Sequence, residues 1–161
     1  MQLGLWCLVL FAGLLSGQAG YRAVMERWRA FHAAQLQQDE GWLTVTGLFW
    51  LQEGTNAFGS APGSPVQLPA GPAVAGVFEL RGGRVTVTLR PGVRATLNNR
   101  PFQGSAALRE DTTGRPDVIR MDRFALMLLG RGGRYAIRLK DRDSEFRRHF
   151  TGLKWFPVKA S

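Results

Sequence analysis

Four basic side chains near the end of the chain are candidates to hold an anion. They lie on either side of a turn predicted around Asp141 and Ser144, and they are Arg138, Lys140, Arg147 and Arg148. Guanidinium and ammonium groups make charge-assisted hydrogen bonds to carboxylates and phosphates. If the protein binds an anion, we expect these four residues to hold it; the alternative interpretation is a solvated basic edge, which is the default for scattered surface charge.

Motifs that would identify an enzyme are absent from the sequence. It contains no G-x-S-x-G elbow, no phosphate loop ending in Gly-Lys-Ser/Thr, no G-x-G-x-x-G loop and no H-E-x-x-H helix. The two histidines, His32 and His149, are too few for a three-histidine zinc site in one chain. We therefore expect no catalytic, cofactor-binding or metal-binding residues, and no cofactor.

The overall charge favours anionic partners but does not identify one. The 161 residues include 21 Lys and Arg against 12 Asp and Glu, a net charge of +9. The arginines are scattered along the chain, and the two R-G-G-R sequences, at residues 81–84 and 131–134, lie between strand-like segments. A concentrated basic face is typical of nucleic-acid binding. We expect no specific nucleic acid, and the partner is an unknown ligand or protein.

The first 19 residues have the pattern of a signal peptide. Residues 3–15 are apolar, and at about 1.5 Å of rise per residue they are too short to span a membrane. Gly17 and Ala19 fit the small-x-small pattern of a cleavage site after Ala19. We predict a protein exported to the periplasm or the medium, without a transmembrane span after cleavage. Since Cys7 is the only cysteine, the mature chain is expected to be cysteine-free.

The remaining chain predicts one amphipathic helix followed by a mainly β domain. Residues 20–41 repeat apolar side chains at three- and four-residue steps, which is typical of a helix. Over residues 42–161, short strand-like runs recur about every ten residues, which predicts an antiparallel β-sandwich. The predicted strands are 42–51, 56–60, 65–69, 75–81, 84–90, 94–98, 117–121, 125–130 and 134–140.

The turns between these strands can be placed from residue types. Gly82 with Gly83, Gly132 with Gly133, and Asn98 with Asn99 are predicted hairpin turns, because glycine and asparagine tolerate positive φ. The aromatic residues Trp42, Phe49 and Trp50 are predicted to lie in the core, with an exposed stacking platform as the alternative.

Several of these segments together resemble a bacterial family of unknown activity. The sequence reads GWL-x-V-x-GLFWL-x-EG at residues 41–54, N-x-FGS at 56–60, and D-x-x-S-x-x-R-x-x-F-x-G at 141–152. It is similar to domain-of-unknown-function family 1684, whose members continue into a second β-rich half, so the resemblance implies the N-terminal half only. The matching positions are Gly41, Trp42, Gly47, Phe49, Trp50, Gly54, Gly59, Asp141, Ser144, Arg147, Phe150 and Gly152.

The same region also resembles a degenerate forkhead-associated sandwich. The segments that carry this resemblance are N-x-FGS, V-x-L-P at residues 66–69, and L-N-N at 97–99. Such domains use a Gly-Arg pair, a serine and an asparagine to hold a phosphothreonine. Ser60 stands where that arginine would follow Gly59, and no S-x-x-H follows. The resemblance implies a β-sandwich, while the phosphate clamp lacks its strongest bond.

Three functions remain open from the sequence. The first is an exported, non-catalytic β-domain that binds a ligand or partner. The second, motivated by the family block alone, is a hydrolase-like enzyme of undescribed type that uses Asp141, Ser144 and Arg147. The third is a basic module that binds an anionic polymer or a membrane surface. We expect the first.

Overall fold

The computed structural model describes the backbone of residues 4–158 and the side chains of residues 20–158. The side chains of the predicted signal peptide, including Cys7 and Ala19, lie outside this described part. Cleavage after Ala19 and export therefore stay predictions. In the described part of the chain, no helix is long and apolar enough to cross a membrane.

One long helix precedes the β domain. Helix α1 (Gly4–Leu36) includes most of the helix predicted over residues 20–41, and a turn over residues 37–41 connects it to a short 3-10 helix (Trp42–Thr44). At Gly41, which joins the two, a Cβ would lie 2.3 Å from the carbonyl oxygen of Leu36. A side chain at this position would collide with backbone, so the close turn requires glycine.

Eleven strands follow within the described residues. Their bounds are β1 (Val45–Trp50), β2 (Gly54–Gly59), β3 (Val66–Gln67), β4 (Gly76–Arg81), β5 (Arg84–Leu89), β6 (Ala95–Leu97), β7 (Arg100–Phe102), β8 (Ser105–Ala107), β9 (Val118–Met121), β10 (Phe124–Arg131) and β11 (Arg134–Asp141). A second 3-10 helix (Asp111–Thr113) precedes β9, and a four-residue helix α2 (Glu145–Arg148) follows β11.

The strands form two sheets, as expected for a sandwich. The first sheet has the order β1-β11-β10-β9-β6-β7, and the second has the order β3-β2-β4-β5-β8. All pairs are antiparallel except β2 with β3, where Phe58 lies opposite Val66 in a parallel pair. The predicted fold class, a mainly β sandwich preceded by one helix, is confirmed.

The three predicted turns are present. Gly82, Gly83, Gly132 and Gly133 have φ between 54° and 79°, and each pair closes a two-residue hairpin between paired strands. Asn98 and Asn99, with φ of 52° and 66°, close the hairpin between β6 and β7. Positive φ at both central residues matches the right-handed twist of the flanking strands.

Sequence patterns missed two strands and overextended another. Strands β7 and β8 have only three residues each, too few for an alternating pattern to be visible. The predicted strand over residues 42–51 begins instead as a 3-10 helix, and regular pairing starts at Val45.

A single apolar core lies between the two sheets. Phe58 of β2 and Phe78 of β4 are fully buried, with ring centroids 4.6 Å apart. They share one cluster of buried residues with Ile137 and Leu139 of β11, across the sandwich. Burial of these side chains supplies the main driving force for folding.

The carboxylate of buried Asp117 ties three segments at one end of the sandwich. It accepts hydrogen bonds from Asn98 Nδ2 at 2.6 Å, from the backbone N–H of Arg109 at 2.8 Å and from the Arg109 guanidinium at 2.7 Å. Burial raises the pKa of Asp117, but the hydrogen bonds from Arg109 and Asn98 and the charge of Arg109 together outweigh burial, so its pKa lies below the ordinary value of 3.8.

Truncation of a core phenylalanine tests the position of the core. We expect Phe58→Ala to lower the free energy of unfolding by about 3–5 kcal/mol, because it removes buried apolar area and leaves a cavity. Phe146→Ala is the matched control, since the Phe146 side chain is 71% exposed. Urea unfolding measures both, and equal effects of the two substitutions would contradict this core.

The pKa of Asp117 predicts a loss of stability in acid. Because the folded state lowers this pKa, its contribution is present above pH 3.8 and is lost as the pH falls through the folded-state value. We expect Asp117→Asn to flatten the dependence of the free energy of unfolding on pH between about pH 5 and pH 2. Asp122→Asn is the control, because it removes an exposed carboxylate that forms no salt bridge within the described residues. Urea unfolding at several pH values provides the measurement.

Candidate binding site

A groove of about 540 Å³ lies against the outer face of the first sheet. One wall is the C-terminal end of helix α1, and the opposite wall is the chain segment that follows α2. The floor is formed by the short 3-10 helix and strands β1 and β11. The side chains that line it include His32, Leu36, Glu40, Trp42, Val45, Arg138, Lys140, Leu153 and Trp155.

Strand alternation brings two of the four predicted cations to this groove. In β11, Ile137 and Leu139 point into the core, so Arg138 and Lys140 point to the opposite face. The β1 register places Lys140 opposite Val45 and Arg138 opposite Leu48. The two cations are therefore neighbours on one face, as the anion-site prediction requires.

The Arg138 guanidinium stacks on an aromatic ring without an ion-pair partner. Its Cζ lies 5.3 Å from the centroid of the Trp42 ring. Within the described residues it makes no salt bridge or hydrogen bond, whereas Arg120 and Arg147 nearby pair with Glu40 and Asp39. The ring orients the guanidinium, which leaves its N–H groups able to donate to a bound anion.

Lys140 is half-buried at the floor of the same groove. Its Nζ donates a hydrogen bond to the carbonyl oxygen of Glu40, and the Glu40 carboxylate pairs with Arg120. Burial lowers the pKa of Lys140, and the charges of Arg138 and Arg120 lower it further against the opposing effect of Glu40. Lys140 thus lies beside two other cations and one carboxylate, and an incoming anion would relieve the repulsion between the cations.

The other two predicted cations do not belong to this site. Arg147 pairs with Asp39 at 2.7 Å and donates to the carbonyl oxygens of Gln37 and Arg142. Arg148 lies 3.5 Å from Asp143. Both residues lie on helix α2, after the chain has left the sheet, and neither lines the groove. The four-residue anion site stays a prediction, and the structure brings only Arg138 and Lys140 together in this groove.

The D-x-x-S-x-x-R block forms a structural connection. Ser144 is the N-cap of α2: its hydroxyl accepts from the Arg147 N–H and donates to the carbonyl oxygen of Leu43. Buried Asp141 lies 3.2 Å from Arg123 and accepts from the Asp143 N–H. Together with Arg147, these contacts fasten the end of β11 to α1 and to the 3-10 helix that forms the groove floor.

Some of the remaining family-motif residues are closely packed, and others are exposed to solvent. A Cβ at Gly47 would lie 2.5 Å from the Phe49 ring, and one at Gly59 would lie 2.2 Å from the Ala73 carbonyl oxygen. The packing at both positions therefore leaves no room for a side chain. Phe49 packs against the core. Trp42 and Trp50, predicted to lie in the core, are exposed on the outer face. Gly54 and Gly152 take positive φ, and Phe150 is half-buried.

Helix α1 contacts the opposite wall of the groove through aromatic rings. Trp28 packs on Trp155 with ring centroids 5.5 Å apart and on His32 at 4.0 Å. The Arg29 guanidinium donates to the Phe156 carbonyl oxygen at 2.6 Å. Three other residues of the apolar stripe of the helix, Tyr21, Val24 and Phe31, are exposed.

Sequence reasoning missed His32, Glu40 and Trp155 as groove residues. They lie about 100 residues from β11 or in the segment after α2, so only tertiary packing brings them together. No spacing pattern in the sequence could have indicated that these residues line the same groove.

The described residues form neither a metal site nor the phosphothreonine clamp. No group of three His, Cys, Asp or Glu side chains among them could hold a metal ion. Ser60, at the position of the missing arginine, donates its hydroxyl to the Gly71 carbonyl oxygen at 2.7 Å. This serine therefore braces the loop after β2.

Comparison with known proteins finds a weak likeness to forkhead-associated (FHA) domains. The FhaA FHA domain complexed with the intracellular domain of Rv3910 is 20% identical, with a TM-score of 0.39, over 58% of this chain and 97% of that one. An FHA domain from work on phosphothreonine-dependent interactions matches with the same identity and score, over 58% and 92%. The sandwich assignment itself rests on the two sheets and their shared core.

No protein-family model and no curated protein matches the chain. Membership of family 1684 therefore stays a prediction.

The capping role of Ser144 predicts a loss of stability on truncation. We expect Ser144→Ala to lower the free energy of unfolding by about 1–2 kcal/mol, because the α2 amide and the Leu43 carbonyl each lose a partner. Ser64→Ala is the control, since the Ser64 hydroxyl makes no hydrogen bond within the described residues. Urea unfolding of both variants measures the difference, and no destabilisation by Ser144→Ala would contradict the capping role.

Proposed function

We propose that this protein is an exported, non-catalytic binding module that holds an anionic partner in the groove beside β11. One observation carries the proposal: Arg138 and Lys140 project together into the groove with more positive charge than Glu40 balances. Export is supported by the apolar segment and cleavage pattern of residues 3–19.

The geometry favours binding by hydrogen bonds as well as by charge. Arg138 is held against the Trp42 ring, and Lys140 is fixed by the Glu40 carbonyl, so both donors are oriented before a ligand arrives. Such preorganisation reduces the entropy lost on binding. A carboxylate or phosphate between the two side chains would accept bonds from both.

Contacts in the family block argue for a structural role over the hydrolase alternative. The Ser144 hydroxyl is buried and engaged with Leu43 and Arg147, and Asp141 is engaged with Arg123 and the Asp143 amide. A nucleophilic serine needs a neighbouring base to take its proton. The Ser144 hydroxyl instead donates a hydrogen bond to the backbone carbonyl oxygen of Leu43.

Removal of the two groove cations tests the proposal. We expect Arg138→Gln with Lys140→Gln to weaken binding of a blocked hexaglutamate peptide and of inorganic tripolyphosphate by about tenfold or more, because two charge-assisted bonds are lost. Arg100→Gln with Arg115→Gln is the control, because it removes the same charge from exposed arginines outside the groove. Isothermal titration of the 161-residue chain measures the affinities.

Equal weakening by both double variants would show that net charge alone attracts these anions. That result, or the absence of binding to the unsubstituted chain, would overturn the groove as the binding site.

A further inference from the structure

Strand β1 presents the longest free edge among the described strands. It lies at one end of the first sheet and pairs only with β11. The other edge strands are shorter, with three residues in β7 and β8 and two in β3. A free edge of this length can accept another strand.

The hydrogen-bond register shows which groups of β1 face outwards. The Leu51 N–H donates to the Tyr135 carbonyl oxygen at 2.9 Å, and the same register pairs Phe49 with Ile137. Because bonded positions alternate along an antiparallel strand, the N–H and C=O groups of Leu48 and Trp50 point away from β11. They make no hydrogen bond within residues 4–158. The edge is therefore open at these two residues.

The outer face beside this edge is apolar and cationic. The side chains of Leu48 and Trp50 are 50% and 39% exposed. The Arg134 guanidinium lies 4.3 Å from the centroid of the Trp50 ring, and Arg138 lies over Trp42. Like Arg138, Arg134 makes no ion pair within the described residues. Both guanidinium groups, which have no ion-pair partner among the described residues, therefore stack on tryptophan rings next to the open edge.

We propose that the anionic partner is an extended acidic peptide of another protein that adds as a strand to the free edge of β1. This inference rests on the proposed function and names its partner. An added strand would satisfy the Leu48 and Trp50 backbone groups, and its alternate side chains would lie on the outer face. Acidic residues at those alternate positions would lie across β1 from Arg134 and Arg138, whose guanidinium groups lie over Trp50 and Trp42 on the same outer face.

Charge argues against a second copy of this chain at the edge. Two copies joined along β1 with their outer faces aligned would bring their Arg134 and Arg138 side chains onto one surface. Each copy also carries a net charge of +9. Like charges facing each other across an interface weaken association. An acidic strand fits the same edge with complementary charge.

Backbone methylation of the peptide tests strand addition without changing the protein. The probe is a blocked octapeptide that alternates glutamate and valine. Two isomers carry N-methyl groups either on the glutamates or on the valines. Since successive N–H groups of a strand point to opposite edges, only one isomer loses the N–H donors that face β1. We expect that isomer to bind about tenfold or more weakly than the other in isothermal titration.

A peptide with four glutamates followed by four valines controls for composition. We expect it to bind about tenfold more weakly than the alternating peptide, because its acids cannot all lie on one face. Hydrogen exchange followed by NMR should show new protection at the Leu48 and Trp50 amides when the alternating peptide binds.

The outcomes separate this inference from the function on which it rests. If both methylated isomers bind as well as their parent while Arg138→Gln with Lys140→Gln weakens tripolyphosphate binding, the groove binds anions and strand addition is wrong. If the unsubstituted chain binds none of these anions, both proposals are wrong. Selective loss for one isomer, with protection at Leu48 and Trp50, supports strand addition.

Discussion

The alternation of side chains along β11 is the constraint on which both the core and the candidate site depend. Ile137 and Leu139 fill the core from one face, so Arg138 and Lys140 must lie on the other. A shift of one residue in the pairing with β1 or β10 would bury both cations and expose both aliphatic side chains. The cost of burying unpaired charge therefore helps to fix the register that creates the groove.

Neighbouring elements then convert this cationic face into a groove. Arg147 connects α2 to Gln37 and Asp39 in the turn after α1, and Ser144 connects α2 to Leu43. These bonds hold the helix end and the 3-10 helix against the sheet. Trp28 and Trp155 form the far contact between the two walls. The D-x-x-S-x-x-R block therefore serves the site by positioning its walls.

Much of the fold could be predicted from local patterns. Gly82 with Gly83 and Asn98 with Asn99 mark turns whose positive φ few other residues adopt, and the strands between turns alternate clearly. The site could be predicted only in part. Arg138 and Lys140 share a strand, so their common face follows from spacing. Arg147 and Arg148 are equally close in sequence but lie on a helix, and His32 and Trp155 meet the groove only through tertiary packing.

Two tryptophans near the free edge of β1 lie outside the core. Trp50 belongs to β1, and Trp42 belongs to the 3-10 helix that precedes it. Exposed edges are a liability, and proteins usually protect them with bulges or charges. β1 has an irregular register between Val45 and Gly47, yet regular pairing resumes from Gly47 to Trp50. Arg134 covers Trp50 in that regular part, and Arg138 covers Trp42 in the 3-10 helix before β1. Both cations discourage pairing with a second basic chain. The same cations would attract an acidic strand, so the arrangement that disfavours a second basic chain would also favour the partner proposed above.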